Sequence, residues 1–188
     1  MKIRGTYSGF STTMNIGHNS FFVDLDTNGV DLSLKEFIDN AVNFNYIIIR
    51  NIDRDDVKEL NFLIKKLLAT SLKLKIELNI DGTFTPPNAG VYERVIYNTY
   101  INSEIFYEKK IIKWLKDVGA NFIFTLTKEE DLNDINSFVR QYEIDKNKIF
   151  LKMEIVDERT LSLIKICGYN ITFDMNNIIG DFDVARYV

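Results

Sequence analysis

Cysteine is almost missing from this chain: among 188 residues only Cys167 carries a thiol. One thiol closes no intramolecular disulfide, so a disulfide framework is excluded and a reducing compartment is expected. Nor can it hold an iron–sulfur cubane, which is seated by several thiolates brought together. Histidine is as scarce. His18, in Gly17-His18-Asn19, has no Cys or His at ligand spacing, so it reads as a loop or core residue and not as a zinc ligand. Cys167, with no histidine near it in sequence, reads as an inert buried thiol. There is no Gly-x-Gly-x-x-Gly or Walker-type loop and no Ser-centred nucleophile elbow, so phosphate cradling and acyl transfer lose their usual support. No apolar run approaches the length of a bilayer span. Excess positive charge is also missing: the formal net charge is −4, which supplies no basic field for nucleic-acid phosphates or anionic lipid, and nucleic acid is not indicated as a partner. Met1-Lys2-Ile3-Arg4-Gly5 contains no apolar signal run, so a cytoplasmic location is expected.

What is present suits one substantial core. Apolar residues make up 46% of the chain, and 188 residues are few for two cores, so a single domain over 1–188 is expected. Abundant Asn, Ile, Lys and Phe point to AT-rich coding, as in a low-GC bacterium or its phage.

The punctuation alternates between strand and helix. Phe21 to Leu25 reads as a strand, and Ser33 with Glu36 forms a capping box opening a helix whose stripe is Leu34, Phe37, Ile38 and Ala41. Tyr46 to Ile49 is a continuous apolar run, the mark of a strand covered on both faces. A helix from about Asp55 carries Val57, Leu60, Ile64 and Leu67 at spacings of three and four. Leu74 to Leu78 is the next strand. Asp81 to Gly90 holds both prolines and predicts a loop. Val95 to Tyr100 resumes as strand, and Ser103 predicts the cap of a helix carrying Ile105, Ile112, Leu115 and Val118, ended by Gly119. Phe122 to Phe124 is a buried strand. Thr127 to Glu130 predicts a second capping box, leading a helix with Leu132, Ile135, Val139 and Tyr142 facing inward. Ile149 to Leu151 is strand, Leu161 and Ile164 mark a helix stopped by Gly168, and Ile171 to Phe173 is strand again. Alternation of this kind implies right-handed crossovers and a mainly parallel sheet. The predicted class is α/β, a partial (β/α)6 barrel of TIM type, because a closed eightfold barrel needs about 250 residues. The alternative is an open, flavodoxin-like sheet.

With these elements placed, the chain resembles the 7-carboxy-7-deazaguanine synthases, small radical S-adenosylmethionine enzymes of the queuosine pathway, from about Tyr7 onward. Ile76-Glu77-Leu78-Asn79-Ile80-Asp81-Gly82-Thr83 is similar to the family's Glu-Thr-Asn-Gly-Thr segment. Phe122-Ile123-Phe124-Thr125 followed by Glu130-Asp131-Leu132 is a second match. Ile149 to Glu154 resembles the strand ending Met-Pro-Glu, and Cys167 to Thr172 through Gly180-Asp181 resembles the closing strand. The departures fall on the chemistry. Where the family carries its cysteine triplet, Asp26-Thr27-Asn28-Gly29-Val30 passes straight on, and Arg50-Asn51-Ile52-Asp53 replaces the Gly-Gly-Glu-Pro motif that grips the cofactor. The family's terminal arginine and histidine align with Asp174 and Asn176. The resemblance therefore implies the scaffold without the radical chemistry: no catalytic residues, no cofactor.

Carboxylates Asp24, Glu77 and Glu154 all fall near carboxyl ends of predicted parallel strands, with Asp53 and Asp81 just beyond, at the rim where barrels bind ligands. They read either as solvated strand ends and caps or as acids converging on a divalent cation or a shared proton, with the metal unassigned. Arg50 is expected to pair with Glu77 across neighbouring strands. Tyr92, Tyr97, Tyr100 and Tyr107 read as core, as a stacking platform for a planar base, or as a dimer surface. Three functions follow. The preferred one is an inactive relative acting through a protein partner, most simply as a homodimer covering the barrel's lateral opening. The second is a binder of a small planar ligand, a pterin or 7-deazaguanine, with Asp24, Arg50, Glu77, Asn79, Thr83, Tyr97 and Glu154 as candidate ligand-binding residues. The third is a cluster-free enzyme using a divalent metal at Asp24, Glu77 and Glu154.

Overall fold

Within each unit the parallel strands pair with one another in the order in which the chain makes them. The computed structural model describes residues 2–11, 18–25, 30–31, 33–41, 43–85, 92–102, 105–154 and 157–172. Its contacts divide into two compact units, one drawn from Met1–Ile80 and Pro86–Ile96 and one from Asp81–Thr85 and Tyr97–Asp174.

The first unit opens with β1 (Lys2–Ser11) and β2 (His18–Leu25), paired antiparallel, and β3 (Val30–Asp31), which returns to pair with β1. This hairpin was not foreseen from the sequence. Helix α1 (Leu34–Ala41) begins at the expected capping box: the Ser33 amide donates to a Glu36 carboxylate oxygen at 3.0 Å, and the Glu36 amide donates to Ser33 Oγ at 3.2 Å. Strand β4 (Tyr46–Arg50) lies parallel to β2, and β5 (Lys75–Ile80) parallel to β4. Between them a 3₁₀ turn leads into α2 (Val57–Thr70), which buries Leu60, Leu63, Ile64, Leu67 and Leu68. The last carbonyls of α2 are met by Arg94, whose Nη1 donates to Leu68 O at 3.0 Å and Ser71 O at 2.8 Å.

Asp81–Thr85 is irregular, as the sequence predicts; the rest of the predicted loop, with both prolines, lies outside the described residues. The second unit holds β6 (Val95–Ile101) from Tyr97 onward, α3 (Lys109–Asp117), β7 (Asn121–Leu126), α4 (Asp131–Tyr142), β8 (Ile149–Met153), α5 (Glu158–Cys167) and β9 (Asn170–Thr172), the strands pairing parallel in that order. Gly168 ends α5 in the left-handed region at φ 75°, as foreseen, and Asp157 caps its start by accepting from the Thr160 amide at 2.8 Å.

Two helix starts differ from the sequence reading. Helix α3 begins at Lys109, leaving Ile105 outside it, and Ser103 lies outside the described residues. The cause is Tyr107, whose hydroxyl accepts from the Asn102 amide at 2.9 Å while its carbonyl accepts from the Tyr142 hydroxyl at 2.9 Å, holding the segment before α3 out of helical form. At α4 the carboxylate that gathers the capping bonds is Asp131, not Glu130: it accepts from the Thr127 amide and hydroxyl and from the Lys128 amide at 2.8–3.0 Å. Burial works against this charge, yet those three donors hold its pKa below the ordinary carboxylate value.

Within the first unit the strand order is β3-β1-β2-β4-β5, and within the second β6-β7-β8-β9. Parallel strands that follow one another in sequence, joined by right-handed crossovers, carry their helices to one face. That is the winding of a barrel. A flavodoxin-like sheet reverses its winding part-way, and neither unit does so. The fold is α/β with a mainly parallel sheet, built as a partial TIM-like barrel. Among the described residues no helix is long and apolar enough to cross a membrane.

Candidate functional site

Strand alternation separates an apolar face from a polar one in each unit. In the first unit Phe21, Val23, Ile47, Ile49, Ile76 and Leu78 share the face that α1 covers, shown by the Phe21 ring meeting Phe37 of α1 edge-on at 5.9 Å. The alternate positions, on the opposite face, are Ser20 and Phe22 on β2, Tyr46, Ile48 and Arg50 on β4, and Glu77 and Asn79 on β5. The core of this face is Glu77. Its residue is 0% exposed, and the Tyr46 hydroxyl donates to its Oε2 at 2.8 Å. A buried carboxyl in a strand costs stability unless it is hydrogen-bonded. Sequence reasoning marked Glu77 but missed Tyr46, which reaches it across the β4–β5 register from 31 residues away.

The remaining candidates of this unit sit toward the carboxyl ends of the strands. Arg50 ends β4, with its guanidinium carbon 5.5 Å from the centre of the Phe22 ring, a cation–π distance. Asp24 stands opposite Arg50 in the β2–β4 register. Asn79, buried at 8% exposure, lies on the same face of β5 as Glu77. So β4 and β5 bring Arg50, Glu77 and Asn79 to one face of the first unit, with Asp24 of β2 in backbone register beside Arg50.

The other candidates belong to the second unit and do not gather in the same way. Thr83 is exposed and held in a turn by Asp81, whose Oδ1 accepts from the Thr83 amide and hydroxyl at 2.8 Å each. Tyr97 is on the helix-covered face, 1% exposed, with its ring edge-on to Trp114 of α3 at 5.4 Å. Tyr107 is likewise buried, edge-on to Phe138 of α4 at 5.7 Å, whereas Tyr100 lies on the face of β6 opposite Tyr97. Of the four tyrosines, Tyr97 and Tyr107 are core and Tyr100 lies on the opposite face, while the side chain of Tyr92 lies outside the described residues. Glu154 is exposed just past β8, its amide donating to Leu126 O at 3.0 Å. Among the described residues no three His, Cys, Asp or Glu side chains gather as a metal site. Cys167, at the end of α5, is half-buried, and Asn136 Nδ2 donates to its Sγ at 3.8 Å.

Removing the hydroxyl of Tyr46 tests how the buried acid is held. Tyr46→Phe is expected to cost about 1–3 kcal/mol in urea denaturation, because Glu77 loses a donor in a dry setting. Combined with Glu77→Gln it is expected to be non-additive by about 1 kcal/mol. Strict additivity would mean that the 2.8 Å contact contributes nothing.

No protein-family model and no curated protein sequence matches the chain. Among solved structures it is similar to QueE from Escherichia coli, with a TM-score of 0.61 at 11% identity, over 92% of this chain and 93% of that one. QueE is a radical S-adenosylmethionine enzyme, a 7-carboxy-7-deazaguanine synthase. The donor set of the present chain does not fit a cubane. Its one thiol is bonded to Asn136 at the end of α5, and the four residues between β2 and β3, Asp26-Thr27-Asn28-Gly29, contain none. At this identity the likeness is one of architecture: the chain is related in fold to QueE.

Proposed function

We propose that this protein is a catalytically inactive, radical-SAM-like chain that acts through protein–protein interaction, first of all with a second copy of itself. The observation that carries the inactivity is the replacement of a thiolate loop after β2 by Asp26-Thr27-Asn28-Gly29, in a chain with one cysteine. Support for the interaction comes from the second unit. Ile105 and Phe106 precede α3 and are 48% and 78% exposed, and they border a groove of about 270 Å³ along α4 lined by Asp134, Ser137, Phe138, Gln141 and Tyr142. Adjacent large apolar side chains held in water are the usual content of a contact surface.

The test has two arms. After anaerobic reconstitution with ferrous iron and sulfide, the protein is expected to retain no cubane and to release no 5′-deoxyadenosine from S-adenosylmethionine. A stoichiometric cluster with cofactor cleavage would end the reading. In sedimentation velocity the wild-type chain is expected to show a concentration-dependent dimer, and Phe106→Glu to shift it to monomer. A wild-type monomer at all concentrations would remove the self-association half.

A second reading, binding of a pterin or 7-deazaguanine, is favoured by one observation: the buried Glu77–Tyr46 pair on the same face as Arg50 and Asn79. A carboxyl, an amide and a guanidinium supply both acceptors and donors for the edge of a planar heterocycle. Stabilisation of the folded chain by such a compound would favour it over the first reading.

A further inference from the structure

Two copies of a chain with a formal net charge of −4 repel one another over most of their surface. Self-association therefore calls for a place where that sign is inverted. The stretch from Leu60 to Ile76 supplies one: it holds Lys65, Lys66, Lys73 and Lys75 and no acid. All four lysines are exposed, and among the described residues none is ion-paired. On α2, spacings of three, four and seven set Lys58, Phe62, Lys65, Lys66 and Ala69 on one side, all exposed, away from the side that is buried. Phe62 lies in the middle of this side at 54% exposure, with the Lys66 ammonium 5.3 Å from its ring centre. Glu59, which adjoins it, is already held in an interaction of its own.

The groove along α4 carries the opposite sign. Its lining includes Asp134 and no cation, Lys109 and Lys110 at the start of α3 staying outside it. Glu130 precedes Asp134 by one helical turn. Both acids are exposed, and neither is ion-paired among the described residues. The other acids at this end of α4 are taken, Asp131 by its capping donors and Glu129 by Arg159 at 2.9 Å. Each surface thus joins an exposed ring, Phe62 on one and Phe106 on the other, to uncompensated charge of one sign. We infer that the side of α2 bearing Phe62, Lys65 and Lys66 is the surface of a second copy that seats on this groove, with Phe62 against Ile105 and Phe106 and the lysines against Glu130 and Asp134. Apolar contact supplies the attraction, and the matched charges fix the orientation. In a two-fold dimer each copy offers α2 to the other's groove, so the contact is made twice. The inference rests on the self-association proposed above and adds which surface meets the groove.

Charge exchange on the full chain, read by sedimentation velocity, tests it. Lys65→Glu with Lys66→Glu is expected to weaken the wild-type dimer by about tenfold or more, and Glu130→Lys with Asp134→Lys to do the same. Mixed in equal amounts, the two double variants are expected to form a heterodimer of about wild-type affinity. The acidic α2 of the first then meets the basic groove of the second, and the other two surfaces are native. A loss of folding in either variant could not produce that recovery. Raising salt from about 0.1 M to about 1 M shortens the Debye length from about 10 Å to about 3 Å and is expected to weaken the dimer several-fold. A dimer that Phe106→Glu breaks and Lys65→Glu with Lys66→Glu leaves intact, or double variants that do not recover on mixing, would overturn this inference and leave self-association standing. A wild-type chain that stays monomeric would end both.

Discussion

Phe138→Ala is expected to destabilise the protein by about 3–5 kcal/mol in urea denaturation. Phe138 is 6% exposed on α4 and touches three other rings: Tyr107 edge-on at 5.7 Å, Phe124 edge-on at 5.4 Å and Tyr142 at 4.5 Å. Truncation removes the transfer free energy of a whole aromatic side chain and leaves a cavity that three rigid rings cannot collapse into. Because domains of this kind are stable by only about 5–15 kcal/mol, the loss is a large share of the total. The same ring lines the groove bordered by Ile105 and Phe106, so the variant is also expected to weaken self-association. Phe106→Ala separates the two effects: at 78% exposure it is expected to change stability by less than about 0.5 kcal/mol. A loss below about 1 kcal/mol for Phe138→Ala would mean that these ring contacts do not hold α4 to β7.

Gly82→Ala is expected to cost about 2–5 kcal/mol, from two additive sources. Gly82 sits at φ 78°, a conformation that strains a residue with a Cβ by about 1–2 kcal/mol. Its new methyl would also stand 2.8 Å from Thr99 Cγ2, 3.1 Å from Ile101 Cδ1 and 3.3 Å from Tyr107 Cε1, an overpacking penalty of about 1–3 kcal/mol. Gly119→Ala is the internal control. Its φ is 71°, but the added methyl would meet only the flexible end of Lys148 at 3.9 Å, so it is expected to show the conformational cost alone. Equal losses at the two glycines would remove the packing argument. Both large effects converge on Tyr107, the residue that keeps Ile105 and Phe106 out of helix and in solvent.

The parallel elements were legible in the sequence because their apolar runs and caps are local signals. Ser33 with Glu36 and Gly168 act where spacing places them. The β1–β2 hairpin was not legible: Lys2 to Phe10 mixes glycine, serine and charge, and what makes it a strand is its pairing with β2, which no local pattern shows. Helix α3 was misplaced because Tyr107 is fixed by Asn102 and by Tyr142, the latter 35 residues away, and no cap rule sees a tertiary bond. At the site, Glu77 was conspicuous as an acid inside an apolar run. Tyr97 was assigned to ligand binding because β6 is aromatic or apolar at positions of both parities, Tyr97 and Ile101 on one face and Ile96 and Tyr100 on the other, so alternation alone could not say which side meets α3.

The shortness of β3 also bears on how copies of this chain meet one another. Its two residues pair with Lys2 and Ile3 alone of the ten residues of β1. Among the described residues the rest of β1 has a strand partner, β2, on one side only, and an open border of that length is a template for strand addition. Association in crowded solution can therefore draw on the backbone as well as on side-chain chemistry.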